Sequence, residues 1–353
     1  MDRRLQLAAF LAMATSIALL PGYYVAYHSF MIFGLPIGPM FWVAVVVLAV
    51  LFLAGMGLSA VSDNPSFRMV NIALGIWVGF FMILLFLLMF FDIARYFVRV
   101  DYQFAGKVVL LLAAVLAASG AVNARFVRTR RVKIPAPGMN GRLRVVQLSD
   151  LHLGPVHGLG YFKRIIERAN RENPDVVLLT GDLIDGRLSD ETFAPINDLK
   201  APVYFTPGNH EEYVGMEEVM AHLARTKAVP LCNRKVDLGP CILAGIDFDW
   251  SARGLGEMVA RVAPADGKYS ILMSHGPPAF DPARKAGFDL TLSGHTHGGQ
   301  FWPFTMFGRL LVKYRAGLYE REGKRLFVTT GTGTWGPPLR LGSNSEMAVI
   351  DIG

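Results

Sequence analysis

Between Leu5 and Ser62 the chain contains no Asp, Glu, Lys or Arg. No other feature limits the fold as strongly, because water-exposed surface is built largely from charged and polar residues. Two more uncharged runs follow, Met69–Phe91 and Val108–Ala124. A helix crossing the hydrocarbon core of a bilayer needs about 20 apolar residues. The first run therefore holds two spans and the others one each, near 5–27, 38–61, 69–91 and 106–124. "FGLPIGP", Phe33 to Pro39, marks the turn between the first two, and Pro21 and Gly22 can kink the first, as membrane helices tolerate. Arg3 and Arg4 resemble the start of a signal peptide, but the apolar run is too long and shows no small-residue cleavage site. A helical bundle buried in a soluble protein is the competing reading, and uncharged runs of this length disfavour it.

Basic residues set the expected orientation. Arg3 and Arg4 precede the first span, and Arg125, Arg128, Arg130, Arg131 and Lys133 follow the fourth. Four spans put both clusters on one side, which the positive-inside bias makes cytoplasmic. Arg95, Arg99 and Lys107 pull the other way, and the larger cluster decides. The expectation is a multi-pass protein of the inner membrane with its remaining domain in the cytoplasm. From Ile134 onward there are 24 basic and 24 acidic residues, so the net charge of +7 sits beside the membrane, where it can meet anionic lipid headgroups. Such a balance does not suit a nucleic-acid-binding face, and none is expected. Two cysteines, Cys232 and Cys241, read as free thiols of a reducing compartment.

Residues 1–124 are thus expected to form a transmembrane domain, 125–141 a basic linker ending in "IPAPGMNG", and 142–353 a separate soluble domain. In the last region short apolar runs read as buried strands: 143–148, 176–180, 203–206, 241–246, 270–273, 290–293, 326–330 and 347–352. Helical patterns fit 160–172, 215–226, 254–262 and 279–286. Alternation of this kind predicts an α/β domain.

Polar residues collect where those strands end. "QLSDLH" supplies Asp150 and His152, "LLTGDLID" Asp182 and Asp185, and "YFTPGNHE" Asn209, His210 and Glu211. "ILMSHGPP" adds His275, and "LTLSGHTH" adds His295 and His297. In open α/β sheets that edge is where ligands bind. Five of the eight histidines lie there; His28, His157 and His222 do not and receive no role. Imidazole and oxygen donors without thiolate suit Mn, Fe or Zn, and the donors are too many for one ion. A pair of divalent ions sharing one carboxylate is the expected cofactor, a device that clamps phosphate oxygens and lowers the pKa of water.

The series "SDLH", "GDLID", "GNHE", "SHGPP" and "GHTHGGQ" resembles the calcineurin-like metallophosphoesterases, and "GTGTWGPPLRLGSNSE" looks like their bacterial membrane-associated branch. The resemblance covers about residues 142 to 353. It implies a two-sheet sandwich flanked by helices, here preceded by the four-helix transmembrane domain, and a dinuclear centre. By motif position Asp150, His152 and His297 would bind one metal, Asn209, His275 and His295 the other, and Asp182 would bridge them. It also implies that His210 acts beside the phosphate as charge stabiliser or proton donor. Asp185 and Glu211 are expected behind the ligands, orienting imidazoles. The related lipid A pathway hydrolases usually read Arg where this chain has His210.

After the last ligand come Phe301, Trp302, Phe304, Met306 and Phe307, then Arg309, Lys313 and Arg315. Core packing explains any single ring. As a group, Phe301, Trp302, Phe304 and Arg309 are expected to contact substrate or membrane at the headgroup boundary. The resulting expectation is a membrane-anchored phosphoester hydrolase acting on a lipid-linked phosphate. Two alternatives stand: the same site acting on a soluble nucleotide or phosphodiester, and a non-catalytic metal-binding scaffold or sensor.

Overall fold

The structure, a computed structural model, describes residues 3–57, 65–186, 189–264 and 267–353. The chain divides into two compact units.

The first unit holds four helices, α1 (Arg3–Phe33), α2 (Pro39–Gly57), α3 (Pro65–Phe97) and α4 (Tyr102–Ala124), with the segment Gly336–Leu339. Residues 58–61 of the second expected span lie outside the described residues. Among the described residues, Phe67–Phe97 and Tyr102–Ala124 are long and apolar enough to cross a membrane, and Pro39–Gly55 is a shorter apolar helix. At Gly22 the backbones of α1 and α2 approach closely: an added Cβ would lie 3.3 Å from the Val45 carbonyl, the small-residue contact that membrane helices favour. Asp92, one residue past the expected third span, sits within α3. It accepts the Tyr24 hydroxyl at 2.8 Å and lies 3.1 Å from His28 Nε2. The Tyr102 hydroxyl closes the cluster, 2.8 Å from His28 Nδ1. His28, unassigned from sequence, is buried there, because a polar group among apolar helices needs partners from its neighbours.

The second unit is a two-sheet α/β sandwich. Its elements are β1 (Val127–Ile134), β2 (Leu143–Leu148), α5 (Leu159–Arg171), β3 (Val176–Thr180), α6 (Asp190–Phe193), β4 (Val203–Thr206), α7 (Asn209–Val214), α8 (Met216–Leu223), β5 (Ala228–Pro230), β6 (Arg234–Asp237), β7 (Cys241–Gly245), α9 (Ala252–Arg261), β8 (Tyr269–Met273), α10 (Phe280–Lys285), β9 (Leu290–Ser293), α11 (Phe304–Leu311), β10 (Gly317–Arg321), β11 (Lys324–Val328) and β12 (Ser345–Ile352). Among the described residues the sheet orders are β1-β12-β2-β3-β4-β5 and β10-β11-β9-β8-β7-β6. Strands β2 to β5 run parallel, as do β7, β8, β9 and β11. Parallel strands covered on both faces read as continuous apolar runs, and β3 and β8 are buried at every position.

One core lies between the sheets, with Val145, Leu178 and Ile350 meeting Leu243, Ile271 and Phe327. A second packs Phe162, Ile165 and Ile166 of α5 on the outer face of the first sheet. A third packs Leu255 and Val259 of α9 on the second. Both cysteines are free.

The expected linker is corrected in part. Residues 127–134 form strand β1, paired in parallel with β12 from Val127↔Ser345 to Ile134↔Ile352. Its ends are buried while Arg128, Arg131 and Lys133 stay exposed, and Arg131 reaches Glu172 at 2.7 Å. The basic character that suggested a linker is that of a sheet-edge strand.

Candidate metal centre

Each donor is delivered by a strand end. Asp150 follows β2, Asp182 follows β3, Asn209 opens α7 after β4, His275 follows β8, and His295 and His297 follow β9. The first three come from one sheet and the last three from the other. The chain bends sharply at these points. Asp150, His152, Asp182, His295 and His297 all have positive φ, between 48° and 70°. Asp, Asn and His tolerate that region better than other side chains, and such strain gathers at functional sites. Two glycines make the close approach possible. A Cβ at Gly294 would collide with Ser149 Oγ and Asp150 Oδ2, and one at Gly208 with Asp182 Oδ1.

The donors converge in sets whose ligand atoms lie within 4.8 Å of one another: Asp150, His152 and His297; Asp182, His275 and His295; and His152, Asp185 and His210. His152 Nε2 lies 3.0 Å from His297 Nε2, and His295 Nδ1 lies 3.1 Å from His275 Nε2. Two nitrogens each about 2.1 Å from a shared ion, at right angles, would be about 3.0 Å apart. The buried Asn209 Oδ1 has no hydrogen-bond partner among the described residues, as a carbonyl awaiting a ligand would. The tautomers suit the same purpose. His275 Nδ1 donates to the Thr180 carbonyl at 2.9 Å, and His152 Nδ1 donates to Asp185 Oδ1 at 2.7 Å, so each Nε2 faces the cluster and offers its lone pair once it gives up its proton. The residues present fit divalent metal.

Electrostatics reinforce that fit. Burial raises the Asp182 carboxyl, but the charges of His275, His152 and His210 hold it far below the usual carboxylate range. Burial would lower His152 and His275, and facing carboxylates reverse this. Asp185, with Asp182 and Asp150, takes His152 to about 9, and Asp182, with Asp150, takes His275 to about 10. His295, desolvated and beside the His275 charge, falls to about 4, and His297 is also held well below its ordinary value by burial and by His152. Two protons thus balance the buried carboxylates, and a metal entering the cluster must displace them.

Several expectations gain a location. Asp185 Oδ1 is 2.7 Å from His152 Nδ1 and 2.6 Å from His210 Nδ1, so it orients two imidazoles. His210 Nε2 lies 3.9 Å from Asp182 Oδ2, and its ring packs edge-on to His152. Glu211 is a correction: rather than orienting an imidazole, it accepts the backbone N–H groups of Gly208, Asp182 and Leu183 at 2.6–2.9 Å. It is the third residue of α7, and a Glu three residues after a helix cap is a known capping signal. Phe301 is another correction, being buried; Trp302 is half-buried, and Phe304 and Arg309 are exposed. Phe301 packs edge-to-face on Phe304 at 5.3 Å.

The structure adds residues that sequence did not single out. Arg340 is fully buried, donates to the His297 carbonyl at 2.8 Å and to the Gly333 carbonyl at 2.6 Å, and so braces the loop of the last ligand. Trp250 and Tyr213, both largely exposed, stand 5.5 Å from the His295 ring and 5.3 Å from the His210 ring. An isolated aromatic in a loop or on a short helix carries no periodicity that would flag it.

Comparison with known proteins identifies the family of this unit. Residues 143–299 match the family model described as calcineurin-like phosphoesterase. An uncharacterized metallophosphoesterase of Aquifex aeolicus is 30% identical over 261 residues, covering 69% of this chain and 98% of its own. One from Campylobacter jejuni is 35% identical over 233 residues, 63% of this chain and 62% of its own. A transmembrane protein with metallophosphoesterase domain from Danio rerio is 35% identical over 270 residues, 68% of this chain and 61% of its own. The chain belongs to the calcineurin-like metallophosphoesterase family. It spans about three fifths of the length of several curated relatives, including those from Campylobacter jejuni and Danio rerio.

Proposed function

We propose that the chain is a membrane-anchored, metal-dependent phosphoester hydrolase that holds two divalent ions and acts on a lipid-linked phosphate at the cytoplasmic face of the inner membrane. The observation that carries this reading is the position of Asp182. Its Oδ2 lies 3.0 Å from His275 Nε2 in one donor set and 3.9 Å from His152 Nε2 in the other, the place of a shared carboxylate. Asp150, His152 and His297 would hold one ion, and Asn209, His275 and His295 the other. Bound there, such ions supply a water of lowered pKa and neutralise phosphate oxygens.

The chain's own groups do the rest. His210, half-buried at the edge of the cluster and anchored by Asp185, is placed to touch the phosphate and pass a proton to the leaving oxygen. Membrane attachment is supported by the two long apolar helices and by relatives named as transmembrane proteins. The basic residues after α4 support a cytoplasmic catalytic domain. A second reading, a soluble nucleotide or aromatic phosphodiester, is favoured by the exposed Trp250 and Tyr213 rings at the site. The purified full chain with Mn should hydrolyse an aryl phosphodiester, which a metal-binding scaffold would not. A panel of phospholipids and nucleotides should then show a preference for lipid phosphate. No turnover with any metal would refute the hydrolase, and a preference for nucleotides would promote the second reading.

A further inference from the structure

The turn at Pro277–Pro278 and helix α11 enclose a cavity of about 470 Å³, within the roughly 300–1,000 Å³ of small-molecule sites. His295 forms part of its wall, and the same imidazole belongs to the second donor set. The remaining lining is mainly hydrocarbon, from Phe304, Phe307 and Leu311 of α11 and the two prolines. Charged groups around it are already engaged. The Arg315 guanidinium donates to the Gly298 carbonyl at 2.6 Å, and Lys313 pairs with Asp281 at 2.7 Å. The cavity therefore suits a hydrocarbon chain better than a second anion.

At its outer end the apolar surface continues onto exposed Leu310, Leu311 and Val312, beside exposed Arg309 and Lys313. A helix with apolar and basic residues exposed side by side is suited to the boundary between acyl chains and anionic headgroups. A space with imidazole at one end and bilayer-compatible surface at the other matches an amphiphile whose phosphate lies at the donor sets.

We propose that this cavity holds the hydrocarbon chain of the phosphate ester, so that α11 and the Pro277–Pro278 turn select substrates by chain. The proposal rests on the lipid-linked reading above. It places specificity in Phe307 and Leu311 rather than in Phe301, which is buried away from solvent.

The test uses the full chain in detergent and 4-nitrophenyl phosphodiesters carrying methyl, butyl or octyl groups, with Leu311→Glu and Leu311→Ala as variants. Leu311 is 80% exposed, so both changes should leave folding intact. In the parent, kcat/KM should rise with chain length, by up to about fourfold per buried methylene. Leu311→Glu should cut the octyl-to-methyl ratio about tenfold, the worth of roughly two buried methylenes, and Leu311→Ala less. Independently of turnover, a diazirine-tagged octylphosphonate should label residues 304–311 on photolysis. No gain with chain length in the parent would overturn the lipid-linked reading and this proposal together. A steep gain that both variants keep, with labelling elsewhere, would overturn the cavity alone and leave that reading standing.

Discussion

Asp185→Asn is the most informative single change at this centre, because one oxygen serves two imidazoles with different duties. Asp185 Oδ1 accepts from His152 Nδ1 at 2.7 Å and from His210 Nδ1 at 2.6 Å. The amide keeps an acceptor of similar shape but no charge. A hydrogen bond to a charged partner contributes about 1 kcal/mol more than a neutral one, so two such bonds lose about 2 kcal/mol, or roughly 30-fold. Should the amide turn its NH₂ toward His152, the imidazole must move its proton to Nε2, which faces the metal site. Reversing a tautomer in a comparable hydrogen-bonded triad costs about 10⁴ in kcat. The expected loss therefore lies between these limits and is divided between two measurements. Isothermal titration with Mn should show weakened binding, because His152 is in the first donor set. Turnover of an aryl phosphodiester at saturating metal should still be reduced, because His210 is no longer aligned. Metal affinity and kcat both within threefold of the parent would refute the positioning role.

Asp182→Asn should lose at least one metal and nearly all hydrolysis, whereas His210→Asn should keep its metal and lose about 10²–10⁴ in rate; two full metals by elemental analysis in Asp182→Asn would contradict the bridging assignment. Metal uptake should release protons near neutral pH, since without metal His152 and His275 are raised to about 9 and about 10 and are protonated there. Affinity should accordingly fall as pH falls, and titration heats that do not vary with buffer ionisation enthalpy would rule this out. Gly294→Ala should lower metal affinity about tenfold or more by forcing Ser149 and Asp150 apart, an effect checked by competition with a chromophoric chelator.

The second unit was legible in sequence wherever burial was complete. Strands β2, β3, β4, β7, β8, β9, β11 and β12 follow apolar runs because both faces, or nearly so, are covered. The missed strands β1, β5, β6 and β10 carry sequences such as "RKVD" and "GLYER" with most positions in contact with water. Each lies at a sheet edge, where pairing on one side supplies the order that hydrophobicity does not. The helix expected at 215–226 forms as α8, Met216–Leu223, while the short α7, Asn209–Val214, was not expected and is parted from it by Gly215, whose φ is 122°. The donor residues were visible because strand ends concentrate them. Arg340 was not, since its contacts are with backbone carbonyls that no side-chain pattern announces. The setting of Asp92 was hidden for a related reason: its partners Tyr24 and His28 lie more than sixty positions away.

The placement of β12 has a consequence for synthesis. It lies between β1 and β2, pairing in parallel with one and antiparallel with the other. Every donor, from Asp150 to His297, precedes it in the chain. A ribosome therefore finishes all the ligands of the cluster before making the strand that joins β1 to its sheet. Until then the nascent domain carries a gathering of carboxylates and imidazoles on an unfinished sheet with β2 as an open edge. An edge of that kind invites pairing with other chains, so the interval between His297 and Ser345 is when this protein most needs shielding.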